Sequence, residues 1–460
     1  MATEENTDTA EEGNLEESAM RRAIAGAAIG HALEWFDFGV YGYFAVTIGE
    51  VFFPSDSSSG ALLKTFAIFA VAFVARPFGS LVFGPLGDKI GRSWVLVTTI
   101  LMMSAATFLV GVLPTYEMVG IWSPIALLVL RLIQGFSTGG EYGSAATYIA
   151  ESAADDRRGF MGSWLEVGTM AGYTLAAVLA VLLTGFLSEE ALQSWGWRIP
   201  FLVGLPLGAV GLWLRTNLED SPAFNAVKSE GKAEKAPLLW TIRHAWRSML
   251  LCIGMVIMLN VAYYTVLKYM PTYFKDELGM SKFNSDLVSM GITVGILVLV
   301  PLLGPISDRI GRKPVWLTAS GGFILLSTPA FYLMSLGSFW WTFLGLGILG
   351  FFTAVVASVV ASTLPAIFRT QVRSTGFSIS YNFSTAAFGG TAPLFITWLI
   401  SRFDSHYIPA FYLMIAAAIA IIPTLKIQET AGAPLLGSRP MSGRRSRPRR
   451  RRVVQPRDLG

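Results

Sequence analysis

The chain reads GPLGDKIGR at Gly84–Arg92 and GPISDRIGR at Gly304–Arg312. Each copy is a short charged turn between two long apolar runs, with Asp88 matching Asp308, Gly91 matching Gly311 and Arg92 matching Arg312. A motif repeated over such a distance marks a chain built twice from one unit. Each unit carries its turn after its second apolar run. Glycine suits a tight turn and a close helix approach there, and an acid suits the positive end of a helix. Asp88 and Arg92 are therefore expected near the start of the third span.

Composition says what surrounds the turns. Of 460 residues, 53% are hydrophobic and only 14% are charged, with mean hydropathy +0.53. A soluble domain is about 25% charged, so this chain is read as a membrane protein. A bilayer span needs ~20 apolar residues. Such runs fall at 23–48, 61–83, 93–113, 124–149, 160–187 and 198–216. Six more follow at 248–270, 286–304, 314–335, 338–363, 375–401 and 408–427. The expected fold is all-α and integral to the membrane: twelve transmembrane helices in two pseudo-symmetric six-helix bundles, 21–216 and 248–428. A middle loop, 217–247, is expected to join them as a mobile hinge. Residues 1–20 hold seven acids and no base, and residues 439–460 hold nine arginines and one acid. Both ends, 1–20 and 429–460, read as disordered tails. Neither end resembles a cleaved signal peptide. Arg and Lys favour one set of loops, which puts both termini in the cytoplasm. The arginine run is expected to meet anionic lipid, and a membrane tether argues against nucleic acid as its partner.

Polar residues inside spans mark function. Glu34 and Asp37 fall at helical spacing with Gly30 and Tyr41, so they share one face of the first span. Acids so placed must face protein or water. There they can take up and release a proton as their surroundings change, which proton coupling requires. Arg131, Gln134, Thr138 and Glu141 form a polar stripe on the fourth span, beside a small-residue stripe of Gly135, Gly139 and Gly143 that allows close packing. Arg131 and Arg76 are the candidate counter-charges for Glu34 and Asp37, and Glu141 a third proton site. Asn260, Tyr263 and Tyr264 on the seventh span, and Tyr381 and Asn382 on the eleventh, join Trp35, Tyr41 and Gln134 as candidate substrate contacts. Aromatic faces attract quaternary ammonium groups. No metal-spaced His/Cys cluster, phosphate loop or nucleophile elbow occurs. Cys252 is the single cysteine, and His31, His244 and His406 are scattered. No metal, cofactor or enzymatic activity is expected.

The chain resembles the major facilitator superfamily. Both turns match its G-x-x-x-D-(R/K)-x-G-R signature, and Arg131–Gly135 matches its R-x-x-Q-G pattern. Glu34–Tyr41, Gly139–Tyr142, Arg158–Trp164, Gly196–Phe201 and Glu219–Phe224 are similar to the metabolite–proton symporter branch. Within the branch, Trp246–Ser248, Cys252–Gly254, Asn260–Val261, Tyr263–Tyr264, Tyr269–Pro271 and Ala361–Ala366 are similar to its bacterial members that take up proline and betaines. The resemblance implies two bundles rocking about a central cavity. It implies a cytoplasmic gate in which Asp88 holds the start of span eleven near Arg373, Arg92 pairs with Glu151, and Asp308 does the like near Arg158. An acid matching Glu151 is missing from the second half, which implies a weaker second latch. The osmosensing members end in a heptad coiled coil, and no heptads follow Gln428 here. The expectation is proton-driven import of a small zwitterionic osmolyte, proline or a betaine, across a bacterial cytoplasmic membrane, for which a single chain suffices. The alternatives are a proton-coupled carrier of an organic acid and, more remotely, a membrane sensor without flux.

Overall fold

The computed structural model describes residues 24–54, 58–216, 222–229, 237–438 and 440. The two tails as read from sequence, 1–20 and most of 429–460, lie outside them, as do 217–221 and 230–236 of the middle loop. In lipid every backbone N–H and C=O must be paired within the protein, so apolar runs of this length become helices. Twelve are laid out in chain order. The first six are α1 (24–43, running on as Ala45–Phe52), α2 (Ser58–Lys89), α3 (Arg92–Val112), α4 (Trp122–Ser152), α5 (Arg158–Phe186) and α6 (Arg198–Thr216). The second six begin with α7, which is Trp246–Tyr263 continued by a π turn at Tyr264–Tyr269 and by Met270–Asp276. Next come α8 (Lys282–Ile310), α9 (Arg312–Ser335) and α10 (Phe339–Ala357, then Val360–Thr363). α11 runs Arg373–Ser384, passes a π turn at Thr385–Gly389 and resumes as Ala392–Phe403, and α12 is Ile408–Lys426.

Among the described residues, eight helices are long and apolar enough to cross a membrane, and a ninth qualifies if the bent pair around α6 is one span. The shortfall from twelve falls on α1, α4 and α11. α1 carries His31, Glu34 and Asp37, α4 carries Arg131, Glu141 and Glu151, and α11 is broken by its π turn.

Within the first half α2 and α3 pack on α4, and α3 on α6; within the second α9 packs on α10 and α12, and α7 on α11 and α12. The halves meet along two seams, α2 against α11 and α8 against α5. These seams are equivalent under the duplication, since α8 corresponds to α2 and α11 to α5. The leading glycine of each repeated turn sits on its seam. A Cβ on Gly84 would come 3.0 Å from Thr375 Cα, and one on Gly304 would come 2.8 Å from the Gly159 carbonyl. The glycine stripe of α4 packs as its spacing indicates. A Cβ on Gly135 would collide with the Ala72 carbonyl, and one on Gly139 with the Arg76 carbonyl, both on α2.

Two expectations are corrected by the geometry. Asp88 belongs to the C-terminal end of α2, not to the start of α3, which begins at Arg92 after Gly91. The middle loop is partly ordered. Pro222–Ser229 and Pro237–His244 are helices, the first packed on α4 and the second on α2 and α11. Phe224 is buried and its ring lies 4.5 Å from the Arg92 guanidinium, so an apolar anchor ties that loop to the repeated turn.

Candidate functional site: a central cavity and a latched end

A small cavity lies where the halves meet. The first half gives it His31 and Trp35 from α1, Arg76 from α2 and Glu166 from α5. The second half gives Asn260, Tyr263 and Tyr264 from α7, and Tyr381 and Thr385 from α11. Both π turns border it. A π turn widens the helix and re-aims the side chains around it. Tyr264 lies against Gly389 of the α11 turn, where a Cβ would come 2.7 Å from its ring.

Glu166 is the focus of the cavity. Its two oxygens accept 2.7 Å hydrogen bonds from Tyr142 and from Tyr263, which lie in opposite halves. Tyr142 stacks on Tyr381 at 4.2 Å between centroids. The second polar group is Glu34, whose Oε1 lies 3.0 Å from Arg76 Nη2. Arg76 Nε donates across the seam to Asn382 Oδ1 at 3.2 Å, and Asn382 donates to the Gly139 carbonyl at 2.9 Å. His31 Nδ1 is 3.2 Å from Glu34 Oε2, and Trp35 Nε1 donates to His31 Nε2 at 3.2 Å. Among the described residues Asn260 Nδ2 is buried without a hydrogen-bond partner, which leaves one amide donor at the cavity wall for a ligand.

The remaining sequence candidates separate from this cavity. Asp37 Oδ2 lies 2.5 Å from Arg131 Nη1. Asp37 Oδ1 accepts from Gln134 at 2.7 Å and from Thr107 at 3.0 Å. Tyr41 covers the pair, with the guanidinium 3.8 Å from its ring centre. All five residues belong to the first half. Tyr41 and Gln134 thus surround Asp37 instead of lining the cavity. Glu141 accepts from Thr99 and shares a small void with Glu34.

The end carrying the repeated turns is closed by charge. Asp88 accepts from the backbone N–H of Ser374 at 3.2 Å and of Thr375 at 2.8 Å, and from the Thr375 hydroxyl at 2.6 Å. The acid therefore does meet a positive helix end, but that of α11 across the seam. Its counterpart Asp308 accepts from Gly159 N at 2.8 Å and Phe160 N at 2.9 Å, at the start of α5. Arg92 Nη2 stands 3.1 Å from both Asp88 and Glu151. Arg373 reaches the same Glu151 oxygen at 2.7 Å. In the second copy Arg312 pairs with Asp308, and Arg158 pairs with Asp155 in its own loop, each at 2.5 Å. A strap after α12, residues 429–438, runs over both, so this part of the stretch read from sequence as a disordered tail is ordered and docked. Glu429 accepts from Arg312 N at 2.8 Å and Lys313 N at 3.1 Å. Arg158 donates to the Ala433 carbonyl and Arg373 to that of Leu436. Burial alone would raise the Glu429 carboxyl, but four backbone N–H donors outweigh it and hold its pKa below the ordinary 4.5.

Two charged residues of the interior escaped the sequence reading. Glu166 and Lys268 each stand alone in an apolar run, outside any repeated motif. Their signal was the charge itself, since a lone ionisable residue inside a span marks function by default.

The profile of the sugar (and other) transporter family matches the chain twice, over residues 23–240 and 227–440. The glycine betaine/proline/ectoine/pipecolic acid transporter OusA of Dickeya dadantii is 42% identical over 435 residues, which are 93% of this chain and 87% of that one. The proline/betaine transporter of Escherichia coli strain K12 is 41% identical over the same shares. Among solved structures, the major facilitator superfamily proton:xylose symporter XylE bound to 6-bromo-6-deoxy-D-glucose superimposes with a TM-score of 0.73 at 20% identity, covering 91% of this chain and 98% of its own. The fold is therefore that of the major facilitators, and the chain belongs to the sugar (and other) transporter family as a multi-pass membrane transporter, not an enzyme.

Proposed function

We propose that this transporter carries a small zwitterionic osmolyte, of the proline and betaine class, inward together with protons. The observation that carries the reading is the Glu166 cavity. A buried carboxylate ringed by Trp35, Tyr263, Tyr264 and Tyr381 suits a cationic head group, because aromatic faces and an anion attract it together. The names and identities of the relatives point to the same substrate class.

On this reading the units 21–216 and 248–428 rock about the seams, with 217–247 as their link. The repeated turns and both termini face the cytoplasm, and the arginine-rich tail rests on anionic lipid. Asp88, Arg92, Glu151, Asp308, Arg312 and Arg373 form the cytoplasmic gate, with Gly84, Gly91 and Gly311 allowing its close fit. Glu34 and Glu141 take up and release the proton. A proton on Glu34 weakens its hold on Arg76, and Arg76 is the residue tied to Asn382 of the other half. Asp37 holds Arg131 in place within its own half. A single chain suffices.

Purified protein in liposomes, with an inward proton gradient, tests this. Labelled proline and glycine betaine should be concentrated, and a protonophore should abolish the accumulation. Uptake of a dicarboxylate that excess betaine and proline leave untouched would instead favour the organic-acid reading. Binding without any flux would leave only the sensor.

A further inference from the structure

Lys268 lies on the π turn of α7, one turn past the cavity residue Tyr264. α7 begins at the end of the repeated turns, so Lys268 is on the far side of the cavity from the latched gate. Its ammonium is held by aromatic faces alone. Nζ is 3.9 Å from the centre of the Tyr173 ring and 5.3 Å from that of Trp35. Among the described residues no carboxylate pairs with it. The other interior cations are engaged: Arg76 by Glu34 and Arg131 by Asp37. A cation in a membrane interior is costly and is ordinarily matched by an anion.

We propose that Lys268 is the anchor for the substrate's carboxylate. The inference rests on the zwitterion reading above and deepens it. The Trp35 indole belongs to both places, lining the cavity on one side and facing Lys268 on the other. A zwitterion entering from the end opposite the latched gate puts its cationic group against Glu166 and the tyrosines. Its carboxylate trails outward beside Trp35, where the Lys268 stem swings to meet it. The aromatic hold on the ammonium is weak enough to be exchanged for a charge-assisted hydrogen bond, which is stronger. Lys268 is thus a specificity-determining residue: it separates zwitterions from plain quaternary amines that fit the same cavity.

A cycle of two ligands and two proteins tests this by calorimetry on the purified full chain. Glycine betaine carries the carboxylate, and choline carries the same trimethylammonium group without it. Wild-type protein should prefer betaine by about 10- to 100-fold, the range of one hydrogen bond to a charged group. In Lys268→Gln the betaine affinity should fall to that of choline, with choline binding unchanged. Lys268→Arg, which keeps the charge, should retain most of the preference and guards against a misfolded Gln variant. If Lys268→Gln keeps the full betaine preference, the anchor lies elsewhere and the inference is overturned while the zwitterion reading stands. If wild-type protein binds neither ligand nor proline, it is the zwitterion reading that fails.

Discussion

The Tyr263 hydroxyl donates a 2.7 Å hydrogen bond to Glu166 Oε2, joining α7 of the second half to α5 of the first. The bond crosses the cavity wall, so on the function proposed above substrate binding and the relative position of the halves act on the same carboxylate. Glu166→Gln keeps the size and loses the charge. With the anion gone the cationic head group of the proposed substrate loses a partner, so the expected outcome is a higher half-saturation for exchange of labelled for unlabelled substrate. Counterflow over a range of substrate concentrations, measured in liposomes, reads it. An unchanged half-saturation in the variant would remove Glu166 from the substrate site.

Glu34 and Arg76 are both almost wholly buried. Removing one partner of such a pair leaves an uncompensated charge and costs about 3–5 kcal/mol, whereas removing both is far milder. Glu34→Gln is expected to lower thermal stability in detergent by that order. The double variant Glu34→Gln, Arg76→Met should recover most of it. Thermal unfolding of the three proteins side by side reads the difference.

Gly91 (φ 139°, ψ 154°) and Gly311 (φ 107°, ψ 161°) occupy a backbone region open essentially to glycine. A side chain there costs about 1–3 kcal/mol. Gly91→Ala and Gly311→Ala should each destabilise by this amount from the backbone, and Gly311→Ala by more, because its Cβ would come 2.7 Å from a Glu429 carboxylate oxygen. Chemical denaturation of the two variants checks both magnitude and order.

Glu429 has its pKa depressed below 4.5 by the backbone donors of the strap and of α9. A depressed acid contributes its stabilisation above its unfolded pKa and loses it as pH falls through the lowered folded value. The strap should therefore stay docked at neutral pH and release only below about 4.5. Hydrogen exchange at Thr430 and Ala431, whose N–H groups bond Glu429, follows this directly. In Glu429→Gln that step should vanish, with fast exchange at every pH.

The twofold plan, the close glycine packing and the ionic end were legible in the sequence because each rests on a repeat or a regular spacing. The partner of Asp88 was not, since local order shows a helix start nearby but not which helix the fold brings there. Glu34 and Asp37 illustrate a finer limit. They share a face by spacing, yet three residues of helix advance the direction by about 300°. That offset of one to the other sends Glu34 toward Arg76 on α2 and Asp37 toward Arg131 on α4. Glu166 and Lys268 belong to no pattern, and only the distance to residues on other helices gives them meaning.

The two seams are not fastened alike. Along α2 and α11, Asp88 has three donors on the opposite half, and Glu151 adds Arg373 to them. Along α5 and α8, Asp308 has two backbone donors, and Arg158 pairs with Asp155 in its own loop and reaches the other half through a single 3.2 Å bond to the Ala433 carbonyl. A pair of rigid bodies so joined parts first where fewer bonds must break. Pulled apart, the α5/α8 side is therefore expected to yield before the α2/α11 side, and the missing counterpart of Glu151 sets that order.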